Sequence, residues 1–293
     1  MDSSLQDAAP PAPKTPSKNR NLLERVVTAM VLLPVVLWVI HRGGLSLGIL
    51  AAIAGVLNAV EFSAMSLGED PLRIPAALAA LAMPFFFLEP SLGEANLHWL
   101  WAALAVSALT MRLMRDAPVD GAGDHVTRAV FAGVYGSLIG YLVPLRQLGE
   151  ESSWAGAGWV LLACSVTWGG DTGAYFAGRF FGRTKLYPRI SPAKTREGFV
   201  GGLLTSLAAA FIVRHLALTQ LSVGDTVLRG LPRGIGGPIG DLAESMLKRA
   251  YGVKDSGNIL PGHGGMLDRV DALMINAPLI YFYAKLFVPP AGP

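Results

Sequence analysis

The chain has 293 residues, 52% hydrophobic and only 15% charged, with a mean hydropathy of +0.45. Soluble domains carry about 25% charged residues, so a water-soluble globular enzyme is excluded and a bundle of membrane helices is expected. The 24 basic and 21 acidic residues leave a net charge of +3 with no single basic run, which excludes nucleic acid as the natural partner.

Residues 1–20 are mostly Ser, Pro, Ala, Gln and Lys without apolar periodicity, and read as a disordered cytosolic tail. Lys14, Lys18, Arg20 and Arg25 then precede a first apolar run, Val26–Ile40. A signal peptide starts in the same way. This tail is long and Pro-rich, however, and no small-residue cleavage site precedes the next runs. The preferred reading is an uncleaved first span with the N-terminus inside. Further runs follow at Leu45–Val60, Ile74–Leu88, Leu97–Met111, Ala129–Leu145, Ala155–Trp168, Phe199–Val213 and Ala272–Val288. Many fall short of the roughly 20 residues of a straight span, but packed helices can be shorter. The expected fold is therefore all-α, a polytopic integral membrane bundle of about eight transmembrane helices. Residues 21–150 form its N-terminal helices and 151–293 a catalytic transmembrane region. The one cysteine, Cys164, sits in an apolar run; it can build neither a disulfide nor a zinc site and reads as a buried, inert thiol.

Two polar blocks interrupt the apolar pattern, Gly169–Gly202 and Gly240–Asp271. Charge gathered beside spans is costly and marks function. On a helix, Asp241, Glu244, Ser245 and Lys248 fall at i, i+3, i+4 and i+7 and form one polar stripe. Two carboxylates followed by a cation suit a metal-bound phosphate, although an ordinary solvated face shows the same stripe. Gly262-His263-Gly264-Gly265 exposes backbone N–H groups to an anion, with Lys254 nearby; a flexible loop would look alike. Asp268 and Asp271, at i and i+3, open the last apolar run, where the helix dipole alone favours acids. Four acids beside Lys248, Arg249, Lys254 and Arg269 go beyond that account, and hard oxygen ligands of this kind suit Mg²⁺ held with phosphates.

From Ser245 to Asp271 the chain resembles the phosphatidate cytidylyltransferase family throughout. It carries Ser-x-Leu-Lys-Arg, then Lys254-Asp-x-Gly257, then Leu260-Pro-x-His263-Gly-Gly-Met-x-Asp268-Arg-Val-Asp271. Asp171-Thr-Gly-Ala-Tyr175, Gly178-Arg179, Gly182-Arg183 and Ile190-Ser191-Pro192-Ala-Lys194-Thr195-Arg-Glu197-Gly198 look like the family's upstream motifs. From residues alone, the Ser-Pro-x-Lys-Thr stretch would be a loop at a helix start, with Glu197 near the first turn. Arg179 and Arg183 would be positive-inside residues, and Asp171 a helix cap or a member of a polar cavity.

The resemblance implies transfer of CMP from CTP to phosphatidic acid, giving CDP-diacylglycerol and pyrophosphate. It implies Mg²⁺ and allows a second cation such as K⁺. A metal centre of Asp241, Glu244, Asp268 and Asp271 follows from it, as do Ser191, Lys194, Lys248, Arg249, Lys254, His263, Gly264, Gly265 and Arg269 as contacts for CTP or lipid phosphates. Asp241, Asp268, Asp271 and Lys248 are the expected catalytic set. The setting is a bacterial inner membrane with the site facing the cytosol, and a homodimer is compatible with the family. The alternatives are a CTP-dependent polyprenol or phytol kinase, and a transporter with an intramembrane ion site; an inactive homologue is a further one. The chain departs from the family's pattern in Leu221–Ile239, where Asp225, Arg229, Pro232, Arg233 and Pro238 replace an apolar span. A broken or re-entrant helix, or a surface loop, is expected there.

Overall fold

The computed structural model describes residues 18–89, 92, 96–115, 118–148, 154–219, 221–257, 259 and 264–287, with backbone alone at 18–29, 155 and 228–235. Residues 1–17 of the expected tail lie outside them, and helix already begins at Lys18. The elements are α1 (Lys18–Arg42), α2 (Gly44–Leu67), α3 (Arg73–Leu88), α4 (Leu97–Leu113) and α5 (Ala122–Ser137). A 3-10 turn at Leu138–Tyr141 carries α5 into α6 (Leu142–Arg146), and α7 (Trp154–Phe181) follows. A hairpin of β1 (Lys185–Tyr187) and β2 (Ser191–Thr195) leads to α8 (Arg196–Ala217), α9 (Val223–Ala250) and α10 (Leu267–Phe287).

The described part of every apolar run lies in a helix. Among the described residues, four stretches are long and apolar enough to cross a membrane: Gly44–Leu67, Ala122–Arg146, Arg196–Ala217 and Leu267–Phe287. Large apolar side chains point outward along several helices, among them Trp38, Leu45, Ile53, Leu78, Trp99, Leu204, Leu216 and Leu286. Water would not tolerate so wide an apolar surface, whereas lipid favours it. The protein is an all-α membrane protein with one small hairpin added. That hairpin is the first correction to the sequence reading, since Ser191–Thr195 forms a strand where a loop was expected.

Small residues set the helix packing. Without a hydrophobic drive between helices in lipid, close backbone approach supplies the attraction. A Cβ on Gly136 of α5 would lie 2.7 Å from the Ala59 nitrogen of α2. Along the α7–α8 seam, a Cβ on Gly173 would meet Thr205 Oγ1 at 2.0 Å, and one on Gly201 would meet Ala177 Cβ at 2.2 Å. One hydrophobic cluster runs from Val39 to Ala284, joining the N-terminal helices to the C-terminal ones.

The second correction concerns the departure from the family pattern. Residues 223–250 form one helix, neither broken nor a loop. Asp225, which argues against a span, instead closes a capping box with Ser222: its backbone N–H donates to the Ser222 hydroxyl oxygen at 3.0 Å, and its carboxylate accepts from that hydroxyl at 2.7 Å.

Candidate active site

The site begins with the α9–α10 crossing. A Cβ on Gly240 would lie 3.0 Å from Ala272 Cα, and one on Gly236 would lie 2.5 Å from Asn276 Oδ1. These two glycines, one turn apart, let α9 press directly on the first half of α10. Asp241 and Glu244 on α9 thereby meet Asp271 on α10, and one ligand oxygen from each lies within 4.8 Å of the others. Glu244 is 2% exposed, and its Oε1 has no hydrogen-bond partner among the described residues.

Two lysines hold this cluster. Lys248 Nζ lies 2.8 Å from Glu244 Oε2 and 2.6 Å from Asp268 Oδ1, while Lys194 Nζ on β2 lies 2.6 Å from Asp241 Oδ2. Four carboxylates against two ammonium groups leave an excess of negative charge in a half-buried space. An orphaned carboxylate oxygen beside two further carboxylates is a donor set for a hard cation. The residues present fit a divalent ion such as Mg²⁺.

Asp268, one turn before Asp271, is not one of the three clustered carboxylates. Its Oδ2 accepts from Ser256 N at 3.1 Å, Ser256 Oγ at 3.0 Å and Gly265 N at 3.2 Å. With Lys248 on the other oxygen, it ties the α9–α10 loop to α9. Two glycines of the Gly262–Gly265 stretch in this loop lie among the described residues. Gly264 takes the left-handed φ of +84°, and the buried Gly265 offers its N–H to Asp268. Glu61 of α2 accepts from Met266 N at 2.9 Å and Leu267 N at 2.8 Å. The N–H groups of Gly265, Met266 and Leu267 thus donate to the protein's own carboxylates. His263 lies outside the described residues.

A cavity of about 380 Å³ opens beside the cluster, between α7, the hairpin, α8 and α9. Its polar lining includes Asp171, Tyr175, Arg179, Lys194, Thr195 and Asp241. Of the two readings of Asp171, the cavity wall is the one observed. The hairpin projects Lys194 into this space because both its ends are fastened. Thr195 caps α8 by accepting from Gly198 N at 3.1 Å. Glu197, in the first turn as expected, accepts from the Arg183 and Thr184 nitrogens at 3.1 Å each.

The remaining expected residues scatter. Ser191 is half-buried at the start of β2, and Arg249 Nη1 donates to Val253 O at 2.9 Å, closing the end of α9. Lys254 and Arg269 are exposed. Cys164 is buried in α7. Glu61 was missed by the sequence reading: it follows the run Leu45–Val60 directly, and an acid inside an apolar helix was the signal that could have found it.

Fold and site together define a helical membrane protein with a cluster of carboxylates that could hold a hard cation, beside a cavity that Lys194 and Arg179 help to line. The chain belongs to the cytidylyltransferase family, whose model matches residues 23–287. It is similar to a phosphatidate cytidylyltransferase of Bacillus subtilis, 34% identical over 91% of this chain and 99% of that one. Proteins of the same description from Staphylococcus epidermidis (34% identical, 87% of this chain and 96% of the relative) and Brucella suis (32%, 93% and 97%) are similar throughout as well.

Proposed function

We propose that this protein is a phosphatidate cytidylyltransferase, making CDP-diacylglycerol and pyrophosphate from CTP and phosphatidic acid. The observation that carries the reading is the convergence of Asp241, Glu244 and Asp271 beside Lys194 and the cavity, in a chain similar over nearly its whole length to enzymes so named.

In this reaction a phosphate oxygen of phosphatidic acid attacks the α-phosphorus of CTP, and the bond to the β-phosphate oxygen breaks as pyrophosphate leaves. The nucleophile is already ionised, so no general base is required. The work is positioning and charge neutralisation of two polyanions. Asp241, Glu244 and Asp271 hold Mg²⁺, which when bound supplies Lewis-acid neutralisation of phosphate charge. Lys194 and Arg179 face the cavity and hold CTP phosphates. Lys248, pinned between Glu244 and Asp268, keeps the carboxylates apart and adds positive charge beneath the site; Asp268 orders the loop that bears His263. Ser191, Arg249, Lys254 and Arg269 belong at the rim, where the lipid head group arrives.

The same reading gives about eight spans in a bacterial inner membrane, with the site at the cytosolic edge where CTP is found. The exposed Arg183, Lys185 and Arg189, in and around the hairpin that lines the cavity, support this side. A second cation such as K⁺ and a homodimer are compatible with it. The test is purified protein with CTP, phosphatidic acid and Mg²⁺, scored for products. Stoichiometric pyrophosphate and CDP-diacylglycerol are expected. Release of CDP with a phosphorylated lipid alcohol would make it a kinase, and ion flux without CTP turnover would make it a transporter.

A further inference from the structure

Glu61 stands 195 residues from Ser256 in sequence, on an otherwise apolar helix of the N-terminal half, yet its carboxylate is 3% exposed beneath the carboxylate centre. Among the described residues no cation pairs with it. A buried carboxylate must be met by strong donors, and here they come from the start of α10. Met266 N donates to Oε1 at 2.9 Å, Leu267 N donates to Oε2 at 2.8 Å, and Ser256 Oγ lies 3.0 Å from Oε2. A helix N-terminus is suited to an anion, and this one is held by a side chain from another helix. The loop is shaped around it: a Cβ on Gly257 would lie 2.8 Å from Glu61 Oε1, and one on Gly265 would lie 2.6 Å from Oε2.

The consequence follows from geometry. Leu267 is the first residue of α10, Asp268 is next, and Asp271 lies one turn on. Fixing the Met266 and Leu267 nitrogens fixes where α10 starts and how it is rotated, hence where Asp271 meets Asp241 and Glu244. Ser256 Oγ, 3.0 Å from both Glu61 and Asp268, joins this clamp to Lys248. We propose that Glu61 is a positioning residue for the cation centre, acting through the first turn of α10 rather than by touching substrate. The inference rests on the divalent-cation reading of the site given above.

The experiment uses full-length protein in detergent and measures Mn²⁺ binding, without CTP, by loss of the free-ion EPR signal; kcat and KM for CTP are measured alongside. Glu61→Gln keeps the volume, removes the charge and turns an amide N–H₂ toward N–H donors. It is expected to weaken Mn²⁺ binding about tenfold or more, as second-layer changes at metal sites do. The Mg²⁺ concentration for half-maximal turnover should rise in parallel, while KM for CTP at saturating Mg²⁺ holds. Folded Glu61→Gln protein that binds Mn²⁺ like the parent overturns the proposal. Where Glu61→Gln does not fold, Glu61→Asp decides, since it keeps the charge and withdraws the carboxylate from the Met266 and Leu267 nitrogens. A smaller weakening in the same direction is expected, and unchanged Mn²⁺ binding overturns the proposal. A parent protein that binds Mn²⁺ but releases no pyrophosphate would sink the cytidylyltransferase reading and leave this one intact.

Discussion

Asp268 and Asp271 sit one turn apart on α10 and yet have different partners. Asp271 reaches the oxygens of Asp241 and Glu244, while Asp268 is saturated by Lys248, Ser256 and Gly265. Their amide variants should therefore fail differently. Asp271→Asn removes a cation ligand and little else: turnover is expected to fall about a hundredfold or more, with the melting temperature in detergent held. Asp268→Asn turns an N–H₂ toward donors that need an acceptor, at a cost of about 1–3 kcal/mol. Both turnover and melting temperature should drop, and a parent-like melting curve would show these bonds to be dispensable. Lys194→Ala should raise KM for CTP about tenfold, the worth of one charge-assisted contact, with a much smaller change in kcat; the reverse split would move Lys194 from phosphate binding to chemistry.

Among elements, the α9–α10 crossing decides whether the carboxylates meet. Gly240→Val would force side-chain atoms into the space of Ala272 and the Asp271 carbonyl, and overpacking of this kind costs about 1–3 kcal/mol. It leaves every acidic side chain in place. Weakened Mn²⁺ binding by this variant would tie the site to the crossing, and binding as tight as the parent's would detach it. The hairpin is the other decisive element. Thr195→Ala removes the cap of α8, worth about 1 kcal/mol, and loosens the strand that carries Lys194. A raised KM for CTP is expected without loss of cation binding.

For the whole molecule, the proposed function puts the site on the cytosolic side of the membrane, and a single thiol tests it. Cys164 is the sole cysteine and is buried, so Cys164→Ala gives a cysteine-free background that should retain turnover. In that background Lys254→Cys places an exposed thiol in the segment just after α9, the helix that carries Asp241 and Glu244. A membrane-impermeant maleimide should label it in inverted inner-membrane vesicles and not in intact spheroplasts; the opposite pattern would put the site outside. One core joins both halves of the chain, and Glu61 links them through hydrogen bonds to Met266 and Leu267.

Composition alone determined that this chain belongs in a membrane, because so few charges cannot clothe a soluble surface. Local order determined the candidate acids: Asp241, Glu244 and Asp271 were legible because their spacing and neighbours form a dense motif. The continuity of α9 was hidden, since its two arginines and two prolines read as breaks, whereas the helix runs unbroken from its Ser222 cap to Ala250. Glu61 was hidden for a different reason. Its partners lie about 200 residues downstream, and no local pattern can state which distant backbone N–H groups a buried carboxylate will meet. Spacing says which side chains share a helix face; only the crossing of α9 with α10, set by glycine packing, decided that Asp271 joins the carboxylates of Asp241 and Glu244 while Asp268 bonds to the loop.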